Sequence, residues 1–561
     1  LIPGYTFHID NPVVHSAALN VHHRDNPEIL FRGEDFENCY KIRAPASTIS
    51  YSLSTSGGSA GVYSPTDAYN GMQLETATNA TEINRGDWIL VRSNVYFDTS
   101  DSVYNAEIRR VIAKPFSTTL RLDAPLRNEY DGHGGGYTAE IAKLNLIEGG
   151  VVMTGQATYR GAADLVTHDP MGGDIYNSAR STTPYRRHTM MLIRGVIGVD
   201  ISGIRFSDFH GLGVDITDCI DAEIKGLRGK SAIGSIGYAI SVNNSCDGVS
   251  IDDCHFENCR HSVSQGSSNE DMGSTVFSPR NGVTRNVLVT NCSSRGGAGY
   301  ADAFNTHGAA QDVHFENCYV DGPNQYGFII RCASGSVRNC RVRGAILGGI
   351  LLQNDVPGAN AGLLEASGND VMDGRSPGLD CTLTTVTGFF QTGEYVTLSG
   401  GAAGYVMSWL STDSNPRLVL YVTSGTPASG HIITGATSGA TGTISGAPVS
   451  YTGFSGISVL PGVSGTYSRD VIISNNRIKV SSTAFIPVTL TNTYRGVVSG
   501  NITTVPNNGL SAYSCSGVTH YVFSGNNCQV DSGSTAATAI SGTDSSSEIT
   551  GNSAQNYGSV S

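Results

Sequence analysis

The feature that most constrains this chain is a repeat. An apolar-alternating run ending in Asn-Cys occurs four times: HFENC at 255–259, LVTNC at 288–292, HFENC at 314–318 and SVRNC at 336–340. Its cysteines lie 33, 26 and 22 residues apart. Farther on the same slot reads IISNN (472–476), VVSGN (497–501), VFSGN (522–526) and EITGN (548–552), with the last asparagines stepping by 25, 25 and 26. Self-similarity at such a period marks stacked units. The units hold short period-two runs, such as VDISGIRF (199–206), GVSIDDCHF (248–256) and DVHFENCYV (312–320), and show no helical period. Coils of 22–26 residues made of short strands predict an all-β, right-handed parallel β-helix. Each strand pairs with its equivalent one turn on, about 4.8 Å away. Stacked positions then favour side chains that stack on themselves: asparagines bonding along the axis, cysteines and valines filling the interior.

The repeat also accounts for the twelve cysteines. A chain of 561 residues can bury a large core without covalent staples, so they are expected as reduced core residues rather than disulfides. No CxxC pair occurs, and no EF-hand loop or RTX nonapeptide, so neither a structural zinc nor a calcium site is expected, and no cofactor is called for. With 35 Lys+Arg against 48 Asp+Glu, the net charge of −13 gives no global attraction to nucleic acid or an anionic membrane. No apolar run reaches the roughly 18–20 residues that span a bilayer, so neither nucleic acid nor membrane insertion is expected.

The register divides the chain. Residues 151–379 read as the main coils with the candidate groove, about seven of them falling within 190–375; 449–561 read as about four C-terminal coils. Between them 380–448 has two similar Gly/Ala/Thr-rich passages, TGEYVTLSGGAAGYV (392–406) and SGHIITGATSGATGTI (429–444). These predict a small inserted antiparallel β-domain, suited to a non-catalytic carbohydrate module or to trimer stabilisation. Residues 1–150 contain strand-like runs, GDWILVRSNVYF (86–97) among them, without the repeat. They predict an N-terminal β-domain that leads into the first coil.

Aligning the coils on their apolar positions yields candidate site residues. With Val214/Ile216, Ile240/Val242, Val263/Gln265, Phe304/Thr306, Phe328/Ile330 and Ile350/Leu352 inward, one outward column reads Thr217, Asn243, Gly266, His307, Arg331, Gln353. Asp302, five residues before His307, is expected on the opposite face, stacked with His261 in a column shared with Leu212 and Tyr238. The 33-residue gap holds GSSNEDMGSTVFSPR (266–280), a loop that brings Glu270 and Asp271 toward the coil of His307. Later acids, Asp355, Glu365, Asp370 and Asp373, fall mostly at turns. The YRRH run supplies Arg186 and Arg187, a pair that can hold carboxylates through bidentate contacts. Tyr300 and Tyr326 flank the same coils.

Three groups together carry a resemblance: the GDWILVRS…LRLDAPL…Y passage before the coils; the series GYAISV (237–242), CRHSVSQG (259–266) and ADAFNTHG (301–308); and the inserted TGATSGATGTI element. The set resembles bacteriophage tailspike proteins with polysaccharide depolymerase activity, of the right-handed parallel β-helix type, over most of the chain. The resemblance implies a homotrimer on the virion at the phage tail tip, acting outside the bacterial cell on a capsule or lipopolysaccharide chain. It also implies assembly in the host cytoplasm and attachment to the tail or baseplate through an N-terminal region preceding Leu1. A glycosidase needs two carboxyl groups, about 5–5.5 Å apart for retention or about 6.5–9.5 Å for inversion. The expected pair comes from Glu270, Asp271 and Asp302, with His307 in the same catalytic group. Arg331, Tyr300, Tyr326, Gln353, Arg186 and Arg187 are expected to bind substrate. Hydrolysis is favoured. The same residues suit β-elimination on an acidic glycan, with Arg331 neutralising a uronate and His307 or a Tyr as base, and a glycan-binding adhesin without catalysis is the third reading.

Overall fold

In the computed structural model of the chain, the described residues are all except 1–5, 10–12, 24–26, 32–37, 46, 48, 54–71, 99–102, 128–129, 131–138, 161–188, 210–211, 233–236, 267–281, 298–301, 323–324, 346, 357–360, 373–378, 389, 391–393, 411–415, 451–453, 463–466, 482–484, 507–510, 531–535, 544–545, 556 and 560–561. Every regular element among them is a β-strand. No described helix is long and apolar enough to cross a membrane.

One coil shows the plan. Tyr238–Asn243, Asp247–Asp252 and His255–Cys259 form three sides of a turn, and each pairs in parallel with its equivalent in the next coil: His261–Gly266, Thr284–Thr290 and Ser293–Gly297. These sides are called the first, middle and closing faces. The closing faces stack into a fourteen-stranded sheet, and the other two make up a twenty-four-stranded one. This is the right-handed parallel β-helix that the repeat predicts, with one continuous apolar core running through its interior.

The repeat motif has a local cause. Between middle and closing faces the chain turns through a residue in the left-handed region: Asp253, Asn291, Asn317 and Asn339 have φ of 51°, 54°, 53° and 54°. Asn and Asp tolerate that conformation because their short polar side chains bond locally. The next residue turns inward, and there Cys254, Cys292, Cys318 and Cys340 stack; Ser293, Tyr319 and Arg341 donate their amides to the carbonyls of Cys254, Cys292 and Cys318 at 2.8, 2.8 and 2.9 Å. The first cysteine of this stack is Cys254 rather than Cys259. HFENC at 255–259 is a closing-face strand with its own left-handed Asn258 (φ 53°), and the shared string conceals a different place in the coil.

Beyond Cys340 the inward slot passes to asparagine. Asn369, Asn476, Asn501 and Asn526 each donate Nδ2–H to the Oδ1 of the next, ending on Asn552, at 2.8–2.9 Å. Each ladder oxygen also accepts a backbone amide from the coil before, so these buried amides meet no desolvation penalty. The eleven cysteines with described side chains are free and buried.

Residues 1–150, expected to form one N-terminal β-domain, divide between two structures. Val13–His15, Leu19–His23, Glu28–Phe31 and Asn38–Arg43 are helix strands; Leu19–His23 pairs with Val151–Gly155, and Asn38–Arg43 with Thr189–Arg194. The β-domain proper is inserted within a coil. Its strands run Ser50–Ser52, Ala139–Leu144, Trp88–Asp98, Val103–Phe116, Thr119–Leu122, Gln73–Glu75, and a bridge between Leu53 and Thr76 brings the two ends together around Leu74, Ile89, Val111 and Ile141. The insertion parts the strands of one coil, so no 25-residue register survives there to be read.

A second insertion lies between Asp370–Met372 and Ser455–Leu460, while the coils on either side stack directly, Gly348 opposite Ser455 and Asp370 opposite Arg477. Its strand Leu379–Thr387 pairs with both Arg417–Ser424 and Thr441–Ile444, closing a six-stranded antiparallel barrel over Leu383, Val396, Leu398, Leu418 and Ile433. Closure leaves the barrel without the unpaired edges of an open sheet.

Candidate active site on the outward face of the central coils

The first faces of the central coils hold the candidate site. The pairing places Thr217, Asn243 and Gly266 in one column, which His307, Arg331 and Gln353 continue. A Cβ on Gly266 would stand 2.9 Å from His307 Cβ, so glycine there makes room for the imidazole. Arg331 is the hub. It donates from Nε to the Thr306 carbonyl (3.1 Å) and from Nη2 to Asn305 Oδ1 (3.4 Å) and His307 Nδ1 (3.1 Å), and its Nε lies 4.0 Å from Asp355 Oδ2. Gln353 Nε2 donates to Asp355 Oδ1 at 2.9 Å. Because a guanidinium only donates, His307 Nδ1 is the acceptor and its proton sits on Nε2.

Asp302 is placed differently from the simple alternation. Ala303 and Phe304 both join the core, as do Ala239 and Ile240 in an earlier coil. Two successive inward residues reverse the parity, so Asp302 falls on the side of Asn305 and His307. The signal was legible: the extra inward position reads Gly213, Ala239, Ser262, Ala303, Gly327, Gly349, Gly456. Small residues are required there, since a Cβ on Gly349 would stand 2.3 Å from Val371 on the closing face. Asp302 is 6% exposed, and its Oδ1 accepts the Tyr326 amide at 3.3 Å. Burial pushes its carboxyl up to about 6, opposed chiefly by the Arg331 charge.

His261 neighbours Asp302 as the column predicts, through the backbone rather than the carboxylate: Nδ1 donates to the Asp302 carbonyl at 2.7 Å. Burial holds the imidazole well below its usual range, helped by the charge of Arg260. The ring packs on Tyr238 at 4.7 Å, and the Arg260 guanidinium lies over that tyrosine at 5.6 Å. Upstream, Asn243 Nδ2 donates to Asp215 Oδ1 (2.8 Å) and Ser241 Oγ (2.7 Å), extending the polar strip over several coils.

The structure thus brings Asp302, His307, Arg331 and Gln353 together, with Tyr326 half-buried at the start of the same strands. Asn305 and Thr306, unmarked by the sequence reading, anchor the hub. Of the later acids, Asp355 joins the site, whereas Glu365 pairs with Arg338 at 2.6 Å on the middle face and Asp370 with Arg341 at 3.3 Å on the closing face. Glu270, Asp271, Tyr300, Arg186 and Arg187 lie outside the described residues, as does Asp373. Among the described residues no group of three His, Cys, Asp or Glu is placed to hold a metal ion.

The inserted N-terminal sheet walls one flank. Phe97 packs with Val283, Ala333 and Val356, the last two close in sequence to Arg331 and Asp355. Leu90, Ala106, Ile108 and Leu144 cluster against Ile220, and Arg285 Nη1 donates to the Ala106 carbonyl at 3.3 Å.

Residues 191–363 match the family model for the right handed beta helix region. No curated protein matches the chain. Among solved structures, the tailspike protein gp49 of Pseudomonas phage LKA1 is 14% identical, over 97% of this chain and 72% of that one, with a TM-score of 0.52. Tailspike gp61 of Pseudomonas phage phi297 is 11% identical, over 94% and 71%, at 0.46. The Gp54 tailspike of Acinetobacter baumannii bacteriophage AP22, solved in complex with A. baumannii capsular saccharide, is 10% identical, over 97% and 71%, at 0.35. The chain is a right-handed parallel β-helix that shares its fold with a phage tailspike.

Proposed function

We propose that this chain is a bacteriophage tailspike that binds a bacterial surface polysaccharide, capsule or lipopolysaccharide, and depolymerises it by endo-glycosidic hydrolysis. The observation that carries the reading is a pair of buried carboxyl groups on one outward strip around a shared arginine. Asp302 and Asp355 are 6% and 3% exposed; burial pushes Asp302 up to about 6 against the Arg331 charge, and Asp355 accepts the Gln353 amide and faces the same guanidinium. A glycosidase needs one carboxyl that keeps its proton and one that stays ionised. Asp302 suits the acid that protonates the leaving oxygen, and Asp355 the base or nucleophile. Glu270 and Asp271, which lie outside the described residues, stay in the proposal as alternative carboxylates. Arg331, Gln353, Tyr326, Tyr300, Arg186 and Arg187 hold the glycan, and His307, protonated on Nε2, donates to a sugar hydroxyl.

The histidines favour hydrolysis over elimination, which needs a base at the sugar carbon. The Nδ1 of His307 accepts from Arg331 and its Nε2 carries the proton, so neither ring nitrogen offers a free lone pair to a sugar carbon. His261 commits its Nδ1–H to a carbonyl and is buried.

A homotrimer at the virion tail tip completes the reading. The stacked free cysteines suit assembly in a reducing host cytoplasm. The test is incubation with purified capsule and lipopolysaccharide from candidate hosts, followed by mass spectrometry and ultraviolet absorbance. Oligosaccharides heavier by one water, without absorbance, support hydrolysis. Unsaturated, absorbing ends would replace it by elimination, and a bound polymer left unshortened would leave an adhesin. Light scattering should give three times 58.9 kDa; a monomer would sink the tailspike reading.

A further inference from the structure

The barrel between Leu379 and Ser450 contributes nothing to the strip above, and its outer surface carries a separate arrangement. Tyr395–Leu398, Ala403–Leu410 and Arg417–Ser424 lie side by side, with Tyr395 opposite Tyr405 and Tyr405 opposite Tyr421. Directly opposed residues share a face. Val396, Leu398, Val406, Leu418 and Leu420 fill the interior, so the three tyrosines point outward. Tyr395 and Tyr405 are 39% and 44% exposed, with ring centroids 5.2 Å apart, edge to face. A row of hydroxyls runs on from Tyr395–Leu398 in the other direction around the barrel: Thr397 opposes Thr434, Thr434 opposes Thr441, and Thr441 Oγ1 lies 2.7 Å from Thr387 Oγ1. Neither row carries a charge. Asp380 and Arg417, farther along the outer surface, are bound to each other.

The platform is held rigid from beneath. Glu394, 6% exposed, accepts the amides of Thr437 and Ser438 at 3.1 and 3.0 Å and the Ser438 hydroxyl at 2.8 Å. Ala436 donates its amide to the Tyr395 carbonyl at 2.9 Å, which ties that loop to the end of the tyrosine row. A surface ordered beforehand loses little entropy when a ligand settles on it.

Aromatic faces that lead into a row of hydroxyls match a pyranose chain, which presents C–H bonds on its ring faces and hydroxyls at its edges. One ring per strand, at about 4.8 Å, is close to the length of one sugar unit. The absence of charge selects among glycans: nothing in either row pairs with a carboxylate, and a chain of net charge −13 repels a polyanion. We propose that the Tyr395–Tyr405–Tyr421 row is a non-catalytic binding site for an uncharged polysaccharide, laid across the strands and separate from the Asp302–Arg331 strip.

The experiment is affinity electrophoresis of the full chain through gels containing dextran, laminarin or galactomannan, with alginate and hyaluronan as acidic counterparts. At least one neutral polymer should retard the wild type, Tyr494→Ala (a distant exposed tyrosine) and Asp302→Asn alike. Tyr395→Ala/Tyr405→Ala should weaken that binding at least tenfold with molar mass in solution unchanged, and Thr434→Lys should do the same by charging the hydroxyl row. Retardation by no neutral polymer, equal binding by both variants, or a fall in molar mass on removing the tyrosines, which would assign the face to a second copy of the chain, would each overturn the proposal. Asp302→Asn separates this site from the catalytic reading, because it leaves the tyrosine row intact.

Discussion

The helix carries two inserted β-domains of similar size, and they meet it in opposite ways. The one within 50–144 turns its outer apolar surface, Leu90, Ala106, Ile108 and Leu144, against the coils and sends Phe97 to the flank of the Arg331 strip. The one within 379–450 has a closed apolar core of its own and leaves tyrosines and threonines outside, with Ile432 and Val449 exposed among them. A module whose exterior is buried on its host acts as a wall and supports the neighbouring strands. A module whose exterior stays open leaves that surface for a ligand. The two domains read alike as strand-rich sequence, and the difference lies in which face of each strand is apolar.

Excision gives the largest contrast. Ser50 opposes Ala142, and Leu379 opposes Ser450, so a short Gly-Ser link can close either gap. Removing 51–141 uncovers Ile220, Val283, Ala333 and Val356. Buried aliphatic side chains contribute roughly 1.5–3 kcal/mol each, so the melting temperature should fall by roughly 5–10 °C, with aggregation. Removing 380–449 should leave melting within about 3 °C and cleavage intact, since Ser455–Leu460 still stacks on Gly348–Gln353 and that barrel has a core of its own. Equal damage from both excisions, measured by calorimetry, would erase the distinction.

Substitutions sharpen it. Asp302→Asn should lower turnover by about 10²–10⁴-fold, the usual range for a general acid, while changes on the open barrel leave turnover alone. Phe97→Ala, at a side chain 1% exposed, should cost about 3–5 kcal/mol of stability and lower turnover severalfold, because Val356 directly follows Asp355; denaturant titration and initial rates read both. The smallest effect belongs to Tyr395→Ala, which should change unfolding free energy by no more than about 0.5 kcal/mol, as expected of a surface position.

Much of this was legible in the sequence because stacking forces repetition. The inward columns from Val214 to Leu352 and the outward column from Thr217 to Gln353 follow from the period alone, since a parallel ladder repeats its register at each turn. Three features were hidden, each for a physical reason. The early coils lost their period to the insertion that parts Asn38–Arg43 from Val151–Gly155. Cys259 passed for a member of the ladder because asparagine at a left-handed turn serves two corners of the coil. Asp302 was assigned to the wrong face because two successive inward residues break strict alternation, although the Gly/Ala/Ser column marks the corner. Asp355 seemed an ordinary turn acid, since only folding brings it to Arg331, 24 residues away in sequence.

The pH behaviour of Asp302 tests the central claim most directly. Its folded pKa of about 6 stands above the ordinary 3.8, so the native state holds an extra proton between those values. Stability from this group is therefore complete below about 3.8, declines as pH rises, and is lost above about 6, a difference of about 3 kcal/mol at most. The measurement is kcat/KM and melting temperature from pH 4 to 8 for the wild type and Asp302→Asn, on a polysaccharide that the incubation assay finds shortened. The account predicts that wild-type kcat/KM falls about tenfold per pH unit above 6, and that the variant loses this limb together with most of its turnover. It also predicts that the variant melts higher than wild type at pH 8 and level with it at pH 4. A variant that keeps wild-type turnover and its pH limb, and melts no higher at pH 8, would contradict it.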